Sequence, residues 1–501
     1  MKTSNPYQKR AIISVWDKEG VIDLAKVLAE FNIEIIATGK TAALLRREKI
    51  KVTEVSEYTS SPEILGGRVK TLHPKIAGGI LSYRQEKDIE PIDMVVCNLY
   101  PFEESLKKNL TDEQMIEMID IGGVTLLRAG AKNYQYVTVV PDKKFYPMVI
   151  KELKETKEIS LATRKLLALK TFEIIAHYDS VIQEYFYNQF PAINFAEYYT
   201  KTYIKSLVLR YGENPHQKAF YYQDPFTNFQ IKQIQGKELS YNNLLDLDAV
   251  ISIVKDFSKN TCAIVKHNIP CGVATRDNPQ DAFLNALESD SKSAFGGIVG
   301  FNCGVDEDTA KEMTKIFLEV ITAPSFTQEA LAILKTKKNL RVIEYVGEMS
   351  KMVVRNCLGG VLVQEKDILV ENVKDWKIVS DRKPTPEEFS ELEFAWKVVK
   401  FVKSNGIVLT KNKATIGIGA GQTSRIDAVE IAIKKAQEKL TGAVMASDGF
   451  FPFRDSIDIA AQNNIKAIIE PGGSVNDKEV IGAANQHNIA LIFTGIRHFR
   501  H

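Results

Sequence analysis

Lys266 and His267 close an apolar run, TCAIV, and stand just ahead of Pro270-Cys271-Gly272. A histidine at a strand end is placed for general-base work, and an adjacent cation favours the neutral imidazole that accepts a proton. A structural histidine with satisfied hydrogen bonds is the competing reading. The Pro-Cys pair raises zinc chemistry, because zinc deaminases carry H-x-E followed by P-C-x-x-C. Here Asn268-Ile269 follow the histidine, and Gly272-Val273-Ala274 follow the cysteine. The carboxylate and the second thiolate are both missing, which excludes a catalytic zinc of that type. Further on, the stretch from Ser447 to Asp455, SDGFFPFRD, interleaves aromatics with charges and suits a cleft wall against a flat heterocycle. Pro471-Gly472-Gly473-Ser474 is a tight turn with exposed N–H groups. The chain closes on Arg497-His498-Phe499-Arg500-His501, either an anion-friendly cluster or a frayed basic tail.

The first half carries a second set. Gly67-Arg68-Val69-Lys70-Thr71-Leu72-His73-Pro74-Lys75 is either a solvated loop or one that neutralises a phosphate and presents Lys70 to a polar substrate. Asp120 and Lys132 bracket a helix-like segment, and Tyr100 ends a strand before Pro101. With Lys70 they make an acid–base set expected at one sheet edge. Thr38-Gly39-Lys40-Thr41 looks like the end of a P-loop, but Glu34 stands where that motif needs its first glycine. It is either an ordinary strand-to-helix turn or a phosphate site made of free N–H groups and the helix dipole, with Lys18 in reach.

These residues need a scaffold. AIISVW, IEIIA, IDMVVCNLY and YVTVV read as strands. Val21, Leu24, Leu28 and Phe31 fall at helical spacing, TAALLRRE and DEQMIEMID are helical, and Ser160 caps a helix running to about Phe190, which Pro191 ends. Alternating strands and helices predict a mainly parallel sheet covered on both faces, with ligands at the carboxyl ends of the strands. The second half opens with the loop LRYGENPHQ. Strands recur at TCAIVKH, SAFGGIVGF, GGVLV, TIGIG, AVMASD, AIIEPGG and ALIFTG. No short-period repeat of the kind that builds a solenoid is visible. The domains expected are 1–195 and 200–501, the second with an internal boundary near 365–390.

The chain has 501 residues, 26% of them charged and 45% hydrophobic, with 65 Lys and Arg against 63 Asp and Glu. That balance predicts a soluble multidomain protein with no nucleic-acid or membrane partner. The polar start lacks the apolar core of a signal peptide, and five scattered cysteines fit a reducing cytoplasm.

Taken together, SVWDKEG, ATGKTA, GGRVKTLHPK, CNLYPFE, IDIGGVTLLRAGAKN, LRYGENPHQ, GKELSYNNLLDLDA, VKHNIPCGVA, SAFGGIVGFN, GIGAGQTSRID, ASDGFFPFRDSID, EPGGS and TGIRHFRH resemble the bifunctional phosphoribosylaminoimidazolecarboxamide formyltransferase / inosine monophosphate cyclohydrolase family. The resemblance covers essentially the whole chain. It implies an α/β protein with a methylglyoxal-synthase-like cyclohydrolase domain first. A transformylase region of two cytidine-deaminase-like subdomains without catalytic metal would follow. It implies two reactions: formyl transfer from 10-formyltetrahydrofolate to aminoimidazole carboxamide ribonucleotide (AICAR), then closure of the formylated product (FAICAR) to inosine monophosphate (IMP). It further implies a homodimer whose transformylase sites form between subunits.

Carried onto this sequence, the resemblance assigns Lys70, Tyr100, Asp120 and Lys132 to cyclisation, with Thr38, Gly39, Lys40 and Thr41 at the phosphate and Ser14, Lys18, Arg68 and Thr71 nearby. His267 would deprotonate the amine, Lys266 would stabilise charge on the formyl group and Asn412 would hold substrate. Arg210, Tyr211, Gly296, Glu319 and Arg497 match nucleotide-binding positions. Arg425 and Phe450 match positions supplied by the partner subunit, and Ile426, Asp455, Ser474 and Val475 match folate-contacting ones. Three positions depart from the family pattern: Lys40 beside Gly39, Trp16 at the mouth of the first site, and Ile269 before Pro270. The first two leave open a monofunctional transformylase with a non-catalytic first domain; a nucleotide sensor without catalysis is the third reading.

Overall fold

The computed structural model describes residues 8–190 and 195–501, so the polar start and the Pro191 helix stop lie outside the described residues. The chain divides into two compact units, Met1–Tyr203 and Ile204–His501. In the first, Arg10–Val15, Glu34–Ala37, Met94–Asn98 and Thr138–Val140 are short apolar runs buried on both faces, the pattern that a helix-covered parallel sheet requires. They pair in parallel, with Thr53–Glu54 at one edge and Thr138–Val140 at the other. Arg10–Val15 lies between Glu34–Ala37 and Met94–Asn98. Successive connections diverge there, and a crevice opens at the carboxyl ends of these strands.

The helices follow the sequence pattern closely. Val21–Glu30 buries Val21, Leu24 and Leu28, while Phe31 caps its end. Ser160 accepts the Thr163 amide and starts Leu161–Tyr187. The helix expected over DEQMIEMID is only Asp112–Ile116, opened by a Thr111–Gln114 capping box.

The second unit is built on a sheet of twelve strands among the described residues. From one edge it runs Gln230–Gln235, Arg341–Val346, Val320–Ala323, Ile298–Phe301, Thr261–Lys266 and Ile269–Thr275. It continues with Ala414–Gly419, Ile407–Lys411, Val444–Ser447, Ala467–Glu470, Ala490–Phe493 and Lys377–Ile378. Each half has the same layout: an antiparallel edge strand, three parallel strands, then a hairpin. The hairpins meet antiparallel, at Ala274 and Ala414. The unit of this duplication is half of the whole sheet, far longer than any short-period repeat. GGVLV, expected as a further strand of the unit, pairs instead with Met352–Cys357 in a separate, exposed hairpin.

Glycines set how closely helices approach the central strands. A Cβ on Gly419 would lie 1.9 Å from the Ala428 carbonyl oxygen, and one on Gly417 2.1 Å from that of Ala432, both in helix Arg425–Ala436. In the other half, Gly272 meets the Ala286 carbonyl at 1.9 Å. Gly419→Ala is expected to destabilise the protein by about 3 kcal/mol, the upper part of the overpacking range. Gly482→Ala, on a helix with open space around it, is expected to stabilise by about 0.5–1 kcal/mol. Urea unfolding of the two variants measures both; similar shifts would contradict the packing described.

Candidate functional site

In the first unit, the carboxyl ends of the strands gather most of the expected residues. Asn98 brackets the turn after Arg10–Val15, its Oδ1 accepting from Trp16 (2.6 Å) and Asp17 (3.0 Å). Lys18 Nζ donates back to the Val15 and Trp16 carbonyls, and burial together with Lys40 holds its pKa below the usual lysine value. Helix Gly39–Arg47 starts there with no side-chain cap, so its first N–H groups are open; Thr41 is buried against Val15 and Ser14 is half-buried. A free helix start facing two lysines favours an anion.

Tyr100 lies just past the end of strand Met94–Asn98, 4.9 Å ring to ring from the exposed Trp16. Burial, then Asp120, pushes its hydroxyl up. Asp120 caps helix Ile121–Lys132 through Gly123 N–H, and burial raises its pKa against the Gly123 and Tyr100 amides. Thr71 is buried beside Gly122 at that helix start. Lys70 lies 3.5 Å from Glu63, and the same carboxylate reaches Gly39, so Lys70 and the Gly39 turn face one space. Arg68 pairs with Glu117 on the surface.

Lys132 does not join this set. It ends the twelve-residue helix that Asp120 begins, and at 1.5 Å per residue it lies about 18 Å away, toward the amino-terminal ends of the strands. The linear bracket around VTLLRAGA is the two ends of a helix.

In the second unit, strand pairing places two groups at the same end of the sheet. The first is built on the His267–Asn268 turn, where both residues are left-handed (φ 54° and 62°). Asp246, on helix Tyr241–Lys255, accepts the Asn268 amide at 2.6 Å, and burial raises its pKa against the pull of the turn amides and His267. His267 is left exposed, and Lys266 Nζ donates to the Phe295 carbonyl at 2.7 Å, next to Gly296. Glu319 accepts from Asn243 at 2.9 Å and faces Arg341, which also faces Arg210 and Tyr211.

The second group centres on Arg425, a buried side chain that donates to Ser447 (2.8 Å), Asp448 (2.5 Å) and Asn405 (2.7 Å). Gly449 packs against Arg425 and Phe499, and Arg497 stacks over Phe499 at 4.2 Å. Phe450, Phe453 and the fully exposed Val475 stand around this network, with Ile426 and Ser474 half-buried and Asp455 starting a helix. Exposed aromatics beside the exposed Arg497 make a surface for a flat anion.

Asn412 is not there. It occupies the turn after Ile407–Lys411, a full strand's length from Arg425's end of the sheet. It lines a cavity of about 940 Å³ with Arg276, Lys397 and Trp376. Asn405, before the same strand, is the asparagine beside Arg425. Both asparagines flank one apolar run, and only strand direction separates them. Arg341 is equally unmarked in the sequence, as the first residue of the strand RVIEYV. Among the described residues no group of three His, Cys, Asp or Glu is arranged to hold a metal, and no helix is long and apolar enough to cross a membrane.

Two family models match the chain: an MGS-like domain over residues 20–125 and the AICARFT/IMPCHase bienzyme over 130–435. Relatives named bifunctional purine biosynthesis protein PurH are 50% identical in Persephonella marina, 50% in Caldicellulosiruptor saccharolyticus and 51% in Aquifex aeolicus. Each alignment covers 98% of this chain and 100% of the relative. A solved structure described as the crystal structure of ForH is 31% identical over 36% of this chain and 97% of its own, with a TM-score of 0.32, too low to weigh on the fold.

The C-terminal segment is strapped rather than frayed. Buried His498 bonds Asp367 (2.5 Å) and Glu371 (2.7 Å), and its amide bonds the Asp448 carbonyl. Burial works against its charge, but the two carboxylates outweigh it and raise its pKa from 6.5 to about 9. The pair's contribution is therefore complete below pH 6.5 and is lost as pH rises toward and through about 9. Denaturation midpoints across that range are expected to fall more steeply for the wild type than for His498→Gln; parallel curves would contradict the strap.

Proposed function

The chain belongs to the AICARFT/IMPCHase bienzyme family, and from that premise we propose which residues carry each of its two activities. It is a bifunctional purine-biosynthesis enzyme joining AICAR transformylase to IMP cyclohydrolase. Full-length relatives bearing the bifunctional name favour two activities over a transformylase with an inert first domain.

Residues 1–195 carry the cyclohydrolase and 200–501 the transformylase, whose two halves divide near 365–390. FAICAR places its phosphate at the open start of helix Gly39–Arg47, against Lys18, Lys40 and Thr41, with Ser14 close by. Its formamide and carboxamide lie between Lys70, Tyr100 and Asp120. The carboxamide nitrogen attacks the formyl carbon, the ring closes and water leaves; much of the barrier falls by holding one conformer. Trp16 supplies an apolar wall beside Tyr100.

In the transformylase, 10-formyltetrahydrofolate is the cosubstrate and AICAR binds against Arg210, Tyr211, Gly296, Glu319 and Arg341. His267 takes a proton from the weakly nucleophilic amine as its nitrogen attacks the formyl carbon. Lys266 faces the developing oxyanion. The folate nitrogen leaves as the C–N bond breaks and takes up a proton. A positioned base of this kind supplies about 10²–10⁴-fold. Asn405, Arg425, Phe450 and Arg497 complete the nucleotide pocket; Ile426, Asp455, Ser474 and Val475 contact folate.

In one chain the His267 hairpin and the Phe450 loop stand several strands apart across the sheet. That gap is wider than a side chain can bridge, and it supports a homodimer in which one subunit's His267 faces the other's Arg425 and Phe450. The enzyme works in the cytoplasm.

The observation that carries this reading is the exposed His267 on a turn gripped by Asp246, beside Lys266. The test supplies AICAR with 10-formyltetrahydrofolate and, separately, FAICAR. His267→Ala is expected to lose formyl transfer by at least about 100-fold and to keep cyclisation; Lys70→Ala is expected to do the reverse. Loss of both activities in a folded variant would contradict the partition, and FAICAR accumulating in the wild type would favour the monofunctional reading.

A further inference from the structure

Glu470 ends strand Ala467–Glu470 with no exposed surface. Its Oε2 accepts the Phe451 amide at 2.8 Å, while Oε1, equally buried, has no hydrogen-bond partner among the described residues. An ionised carboxylate is acceptor-only and seeks several donors on its two oxygens. This one has one short bond, a weaker pull from the Gly472 amide and no exposed surface, an arrangement that disfavours the anion.

Its position is not incidental. Phe451, fully buried, anchors the loop that exposes Phe450 and Phe453. Asn476 Nδ2 donates to the Pro452 carbonyl at 2.7 Å and ties that loop to the neighbouring Gly472–Asn476 turn. Asp477 holds this turn by accepting the Gly473 (2.8 Å) and Ser474 (2.9 Å) amides, as an ionised carboxylate does. Two carboxyl groups thus pin two adjoining loops. The charged groups facing Glu470 are Asp477, which opposes its ionisation, and Arg425, which favours it.

We propose that Glu470 is a positioning residue for formyl transfer, acting as a neutral carboxylic acid that fixes the Phe450–Asp455 loop against the formyl donor. The proposal rests on the reading of that loop as a cosubstrate surface. Burial, reinforced by Asp477, lifts the Glu470 pKa to about 8 against the Phe451 and Gly472 amides and Arg425. Below that pH the acid is neutral and the loop fixed. Above it, a buried anion appears beside Asp477, water must enter, and the loop loosens. Cyclisation, carried by the other unit, has no such dependence.

The experiment measures kcat/KM for 10-formyltetrahydrofolate from about pH 6.5 to 9.5 in the full-length enzyme, a range that spans the loss of one proton from the free enzyme. Wild type, Glu470→Gln and Glu470→Ala are compared, with FAICAR cyclisation in the same samples as the control for intact protein. The wild type is expected to show an alkaline limb near pH 8, approaching about a tenfold loss per pH unit. Glu470→Gln keeps an oxygen for the Phe451 amide and cannot ionise, so it is expected to match the wild type at pH 7 within about twofold and to lack that limb. Glu470→Ala is expected to raise KM for the formyl donor more than it lowers kcat. An unchanged alkaline limb in Glu470→Gln would overturn the proposal. A normal formyl-donor KM in a folded Glu470→Ala would overturn it as well, whereas a normal formyl-donor KM in a folded Asp455→Ala would overturn the underlying reading of the loop. Should Glu470→Ala not fold, the glutamine pH profile still decides.

Discussion

The grip of Asp246 on the His267–Asn268 turn is the contact on which the transformylase half depends. Two consecutive non-glycine residues in left-handed conformation are costly, of order 1–2 kcal/mol each, and persist only where surroundings over-determine them. Here a half-buried carboxylate on helix Tyr241–Lys255 takes the Asn268 amide, and the Phe295 carbonyl takes the Lys266 ammonium. The two contacts turn a hairpin end into a rigid mount. The imidazole faces solvent, while the strands behind it are buried except at their ends.

The same device recurs elsewhere with different side chains. The second half's hairpin turn, Asn412–Lys413, is also left-handed at both residues, and Glu391 accepts the Lys413 amide through both oxygens. That turn has neither histidine nor the Lys-His pair, so the two halves share the mount and not the chemistry. Asp120 does comparable work in the first unit, capping the helix beside Tyr100. Carboxylates at helix and loop ends thus fix backbone geometry where the reacting groups are displayed, and loops on a rigid sheet can carry precise chemistry.

Much of this was legible in the sequence because it is local. Short apolar runs marked the strands, and Ser160 marked the long helix. The matches from Gly39 to Tyr100 come together because parallel strands deliver all their carboxyl ends to one edge. What escaped needed three dimensions. Lys132 is close to Asp120 in number and a helix apart in space. Asn405 and Asn412 bracket one strand, and its direction alone decides which meets Arg425. The two-half sheet was hidden because its unit far exceeds a short repeat and the halves share geometry more than residues. Glu470 resembles any strand residue until burial strips its second oxygen of partners.

Formyl transfer, on this reading, has as its base an imidazole mounted on the His267–Asn268 turn. A crystal structure with AICAR bound tests it most directly. The amine nitrogen is expected within about 2.6–3.2 Å of a His267 ring nitrogen, with Lys266 facing the space left for the formyl group. An amine out of reach of His267 in every subunit, and hydrogen-bonded to another base, would contradict it.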